Sequence, residues 1–253
     1  MIYMEIERKK NMKQIEGGVT AAKGFQASGV EVGIKAGHAG KKDMAMIYSE
    51  TSCKTAGTFT SNIVKAAPVK YDMEIVKNSS GVHAVVVNSG IANACTGEEG
   101  MKNCKIIAGE TAGVLNIPAD SVLIGSTGVI GAQLPMDTIK KGIHLLAGQL
   151  GSKPEYALSA AQAIMTTDTI PKQIAYETVI GGRTVTVGGM CKGSGMIHPN
   201  MCTMLAFITT DINISKEMLT EIVKEDVKDT FNMISVDGDT STNDTLIVLA
   251  NGM

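Results

Sequence analysis

The sequence contains no tryptophan, and aromatic residues make up only 4% of its 253 residues. That removes the stacking platforms on which single-stranded nucleic acids are held. An excess of charge is missing too. There are 23 Lys and Arg against 25 Asp and Glu, a formal net charge of -2, and no basic run exceeds a few residues. Nucleic acid is therefore not expected as the main partner. No apolar run approaches the ~20 residues that a membrane-spanning helix needs. No apolar stretch of the secretory kind follows the opening "MIYMEIERKK", so neither membrane nor secretion is expected. The five cysteines, Cys53, Cys95, Cys104, Cys191 and Cys202, form no Cys-x-x-Cys pair. The histidines, at 38, 83, 144 and 198, stand at no metal-ligand spacing. No metal site is expected, and reduced thiols in a cytoplasmic protein fit the pattern.

What is present is an ordinary globular composition, 44% apolar and 19% charged, long enough to bury a sizeable core. The first dozen residues are mixed and charged and read as an extension. Apolar runs predict strands at "MAMIY" (44–48), "HAVVVN" (83–88), "SVLIG" (121–125), "TMLAFITT" (203–210) and "TLIVLA" (245–250). The last is expected to have few partners and to leave an open edge. Helical stretches follow Thr96-Gly97, Pro135 and Lys153. "KQIAYETVI-GG-RTVTVGG" has two alternating runs around Gly181-Gly182, the signature of a hairpin. Ser215 caps a helix whose apolar stripe is read as Met218, Leu219, Ile222, Val223, Val227 and Phe231. Strands and helices mixed in this way predict an α/β class with layered sheets and helices.

Glycine-rich loops invite a nucleotide reading and fail its tests. "GGMCKGSG" (188–195) has its lysine before the Gly-Ser pair, the reverse of a phosphate-binding loop. "GSGMIH" lacks the third glycine of a dinucleotide fingerprint and precedes a strand. "GSTGVIG" (125–131) has the wrong spacing. Such loops do offer backbone N–H groups without side-chain cover. The Thr127 hydroxyl and the Gly128 N–H could face one developing oxyanion. On residue types alone a strand-to-helix turn without a ligand is the better reading of them. Lys192 on the same footing reads better as a solvated loop lysine.

Seven segments in order carry more. "EGGVTAAKGFQASG", "KAAPV", "VVNSGIANACTG", "GSTGVIG", "MTTDT", "CKGSGMIHPNMCTMLAF" and "SVDGDTSTNDT" together resemble the ArgJ family of ornithine acetyltransferases, from about Ile15 to the end. The resemblance implies a layered α/β, self-processing fold shared with DmpA-type aminopeptidases. It implies acetyl transfer from N-acetylornithine to glutamate in arginine biosynthesis. There is no resident cofactor; some members also take acetyl-CoA as donor. It further implies self-cleavage at Cys202-Thr203. Residues 1–14 would be an extension, 15–202 an α chain and 203–253 the start of a β chain. The two chains would stay together, in a heterotetramer. Matched residue by residue, Thr203 corresponds to the nucleophile, Thr127 and Gly128 to the oxyanion hole, and Thr166 and Lys192 to substrate-binding positions. The related DmpA-like amidohydrolase is the competing activity.

The chemistry is reasonable in itself. A threonine hydroxyl needs a base, and cleavage creates one on the same residue, an α-amine of unperturbed pKa about 7.7–8.0. Three departures stand out. Cys202 replaces a usual alanine, and Ile91 replaces a usual asparagine. Family members also continue past the position of Met253, into a part that carries a glutamate and a C-terminal Asn and Thr of the substrate site. Residues 1–253 alone are therefore expected to transfer acetyl groups poorly, or not at all.

Overall fold

The computed structural model describes residues 12–35, 37, 39–196 and 204–253. Among these residues nine strands form two sheets that share one strand, and five α-helices pack around them. In chain order the strands are β1 (Lys13–Ile15), β2 (Phe25–Val30), β3 (Met44–Phe59), β4 (Val82–Ile91), β5 (Val122–Val129), β6 (Lys172–Ile180), β7 (Arg183–Lys192), β8 (Leu205–Thr210) and β9 (Thr245–Ala250). The helices are α1 (Ala67–Asn78), α2 (Gly97–Leu115), α3 (Met136–Gly148), α4 (Pro154–Ala163) and α5 (Lys216–Asp226).

Strand β3 is the shared one. Its first half pairs with β2 and β4, and its second half, Lys54–Phe59, pairs with β9. The ladder with β4 shifts register between Tyr48 and Cys53, and such an irregularity bends a strand. One sheet thus runs β2-β3-β4-β5, the other β1-β6-β7-β8-β9-β3. Pairing is antiparallel except for β4 with β5 and β8 with β9.

Side chains alternate across each strand, and both faces of the central strands are covered. Val85 and Val87 of β4 join Phe207, Ile247 and Leu249 in a core between the sheets. Ala84 and Val86, pointing the other way, meet Ile107 of α2 and Ile139 and Ile143 of α3. On the far face of the second sheet, Ala206, Leu246 and Val248 meet Leu219 and Val223 of α5. The result is helix, sheet, sheet, helix, with α4 packed beside the inner core.

The layered α/β expectation holds. The hairpin forms at Gly181-Gly182, both at positive φ (60° and 78°), as a two-residue turn of this twist requires. Ser215 caps α5 by accepting the Met218 N–H at 3.2 Å. Other expectations need correction. "TLIVLA" is no open edge: β9 lies between β3 and β8 and all six residues are buried. The α5 stripe is narrower than read, because Met218 and Ile222 are exposed, while Leu219, Val223 and Val227 are buried and Phe231 packs half-buried against them. Lys13 and Gln14, read as extension, belong to β1 and pair with β6. Strand β2 and the second half of β3 were not expected. "GSTGV" continues β5 as strand rather than turning into a helix.

Ile247 is fully buried at the centre of the inner core. Ile247→Ala is expected to cost about 2–5 kcal/mol, measured by urea unfolding at neutral pH. A cost well below that range would show that the two sheets do not bear on each other there.

Candidate functional site

The ends of several strands converge on a cavity of about 1100 Å³. Thr127 and Gly128 come from the end of β5, Lys192 from the end of β7, and Thr166 and Asp168 from the segment after α4. Asn243 precedes β9, and Lys35 lies in the loop after β2. Thr127, Gly128, Thr166 and Lys192, far apart in sequence, therefore line one space. Cys202, Thr203 and His198 lie outside the described residues. Their neighbour Met204 is described: it is buried just ahead of β8, and Leu205 pairs with Lys192 across the β7–β8 ladder.

Lys192 is only 3% exposed. Its Nζ donates to Thr127 Oγ1 at 3.1 Å, which links the two sheets across the cavity. The solvated-lysine reading of the sequence does not apply. Burial lowers the Lys192 pKa, while Asp168 and Asp244 act to raise it. A threonine oxygen that accepts from an ammonium must aim its own proton elsewhere. The bond therefore leaves the Thr127 O–H available as a donor.

Gly128 has φ 133°, and a Cβ there would lie 2.2 Å from the Gly90 carbonyl carbon of β4. Only glycine fits so close a backbone approach. Asn243 fixes the neighbouring loop: its Nδ2 donates to the carbonyls of Ala92 at 2.7 Å and Ser126 at 2.8 Å. Ile91 lines the cavity as a half-buried apolar side chain.

Two acidic residues escaped the reading of the sequence. Asp168 accepts from Lys172 Nζ at 2.6 Å, the Gly193 N–H at 2.9 Å and the Thr166 N–H at 3.3 Å. It ties the Thr166 turn to the residue after Lys192. Burial pushes its carboxyl up, but these bonds outweigh that and hold it below the usual carboxylate range. Asp244 is fully buried, and its Oδ1 accepts the Met204 N–H at 2.7 Å. A third, Asp43, organises the loop that carries Lys35. Its two oxygens accept four successive N–H groups, from Val32 to Lys35. Lys35, Lys41 and Lys42 add positive charge to the cavity wall.

The model of the ArgJ family matches residues 26–253. This chain belongs to the ArgJ family. It is 54% identical over 232 residues to the arginine biosynthesis bifunctional protein ArgJ of Thermotoga neapolitana, covering 91% of this chain and 57% of that one. It resembles the solved arginine biosynthesis bifunctional protein ArgJ of Bacillus halodurans, at 43% identity and TM-score 0.71. It also resembles the ornithine acetyltransferase of Mycobacterium tuberculosis solved with ornithine, at 36% identity and TM-score 0.68. In both cases 77% of this chain covers nearly all of the solved chain, 98% and 100% respectively. The chain spans just over half the length of the curated relatives, between 52% and 60%. Among the described residues no helix is long and apolar enough to cross a membrane.

Asp168→Asn is expected to loosen the Thr166 turn and to cost about 1.5–3 kcal/mol at neutral pH. A carboxyl held below its ordinary value stabilises the fold above its unfolded pKa of about 3.9 and loses that contribution as pH falls through the folded value. Unfolding curves of wild type and variant should therefore converge below about pH 4.

Proposed function

We propose that the chain carries the nucleophile and oxyanion site of an acetyltransferase that moves the acetyl group of N-acetylornithine to glutamate. The observation that carries this reading is the buried Lys192–Thr127 hydrogen bond on a wall shared with Gly128 and Thr166. Membership of the ArgJ family supports it, as does the solved relative that holds ornithine.

The nucleophile in this reading is Thr203. Its Oγ first attacks the Cys202 carbonyl carbon. The Cys202–Thr203 C–N bond breaks, the freed nitrogen takes the hydroxyl proton, and an ester forms. Water hydrolyses that ester, which leaves Thr203 with a free α-amine. The amine then serves as base for the same hydroxyl. Oγ attacks the acetyl carbonyl of N-acetylornithine, and negative charge develops on the acetyl oxygen. The Thr127 O–H and the Gly128 N–H stabilise that charge. The amide C–N bond breaks, ornithine leaves with the proton held by the Thr203 amine, and acetyl-threonine remains. The glutamate amine reverses these steps.

The architecture supports cleavage without separation. Strand β8 is hydrogen-bonded to β7 on one side and β9 on the other, and β9 to β3. A cut before Thr203 leaves those ladders intact. Both solved relatives have chains that about three-quarters of this one spans end to end, as a division near residue 203 would produce. We accordingly assign residues 15–202 to an α chain and 203–253 to the start of a β chain.

N-terminal sequencing of the purified full-length gene product should find a chain beginning Thr-Met-Leu-Ala. Mixing with N-acetylornithine should add one acetyl group to that chain by mass spectrometry. Thr203→Ala should abolish both events, and an uncut, fully active protein would refute the reading. Thr127→Val should lower kcat by about 10²–10³ while leaving cleaved protein folded. Peptide hydrolysis in place of acetyl transfer would move the assignment to an amidohydrolase.

A further inference from the structure

Asp244 has no part in the reaction above, yet it is placed beside it. It is fully buried at the turn into β9. Its Oδ1 accepts the Met204 N–H at 2.7 Å. That N–H belongs to the peptide bond between Thr203 and Met204. The Thr245 N–H donates to the Met204 carbonyl at 3.0 Å. Met204 is thus gripped at both of its backbone polar groups, by two consecutive residues of one turn.

The second carboxylate oxygen, Oδ2, has no hydrogen-bond partner among the described residues. A buried carboxyl with a bare oxygen is costly. Holding one N–H does not require it, since an uncharged carbonyl oxygen accepts the same bond. What distinguishes a carboxylate here is charge, and Lys192 is the cation that feels it. Lys192 in turn donates to Thr127 Oγ1. One acid therefore acts on the peptide that follows Thr203 directly, and on the Thr127 hydroxyl through the field at Lys192.

We propose that Asp244 is a positioning residue: ionised, it holds the Thr203–Met204 peptide and supports the charge of Lys192, and when protonated it weakens both. The assignment of its role in turnover rests on the reading of Thr203 as nucleophile. Among the described residues the Met204 N–H ahead of β8 bonds the carboxyl, the Ser241 hydroxyl acts on it without a hydrogen bond of normal geometry to Oδ2, and Lys192 of β7 acts on it through its positive charge. Burial pushes the carboxyl up to about 7 against the lowering effect of all three. The change between the two forms therefore falls near neutral pH. Lys192 also feels Asp168, which raises its pKa, and Lys172 and Lys35, which lower it. Above the Asp244 transition the site holds its negative charge. Below it, Lys192 is left with Asp168 as its carboxylate partner among the described residues and with its bond to Thr127.

The test uses the full-length gene product labelled with ¹⁵N-methionine, with Met204→Leu to assign the signal. In the wild type the Met204 amide proton should titrate near neutral pH, and in Asp244→Asn that titration should vanish. In acetyl transfer from N-acetylornithine, Asp244→Asn should lower kcat by about 10–100-fold, the range a misplaced reacting group produces. The acid limb of its pH profile should lose one of two ionisations, leaving the one that belongs to the Thr203 amine. A Met204 amide that stays flat from about pH 5 to about pH 9 overturns the proposal, whatever the variant does. So does an Asp244→Asn enzyme with kcat within about twofold of wild type and an unchanged acid limb. If the wild type transfers no acetyl group, the functional reading falls, and the amide titration alone decides whether Asp244 holds this peptide. If Asp244→Asn does not fold, the wild-type titration still decides.

Discussion

Strand β3 runs through both sheets, and the register shift between Tyr48 and Cys53 marks where it passes from one to the other. Two sheets joined along a bent strand must face each other, and their inner faces are apolar enough to seal. Everything at the cavity follows from that closure. The ends of β5 and β7 belong to opposite sheets, so their side chains meet only because the sheets do. Lys192 and Thr127 are 65 positions apart in sequence and 3.1 Å apart in space.

The same closure sets the electrostatics. An ammonium that loses its water is destabilised unless protein groups replace it. Lys192 has one hydroxyl in contact and two carboxylates acting from farther away. Asp168 is fully bonded and firmly ionised, while Asp244 is half-satisfied and close to its transition. The first serves as a fixed structural charge. The second is adjustable, which is what a site that must move protons can exploit.

Local patterns made much of the fold legible. Gly181-Gly182 forced a hairpin, Ser215 marked a helix start, and apolar runs marked β4, β5, β8 and β9. What stayed hidden was decided by distant contacts. "SETSCKTAGTF" carries no strand pattern of its own, yet its second half becomes strand because β9 lies beside Lys54–Phe59 and supplies the ladder. Thr96 sits at the N-cap position of α2, but its hydroxyl bonds Asn93 Oδ1 at 2.7 Å rather than a helix N–H. At the site, residue types raised Thr127 and Gly128 without deciding them, and Thr166 and Lys192 stood out only through the family motifs. Asp168 and Asp244 sit in "TTDT" and "TNDT", where an acid normally caps a turn in water. Their burial, which gives them their chemistry, is a property of the packed layers and leaves no mark on the local sequence.

The loop after β2 has the form of an anion nest, a run of backbone N–H groups turned toward one point. Asp43 already occupies it with its own carboxylate. A nest filled by a residue of the same chain is closed to competitors from solution. An anion at that wall therefore faces side-chain ammonium groups, with Lys35 held by the Lys42 carbonyl and Lys42 by the Ser159 hydroxyl, rather than a cradle of amides. Ammonium groups on long stems accept many anion shapes and are weakened by salt. The positive charge at that wall is thus carried by side chains, whose pull weakens with salt, and not by fixed backbone dipoles.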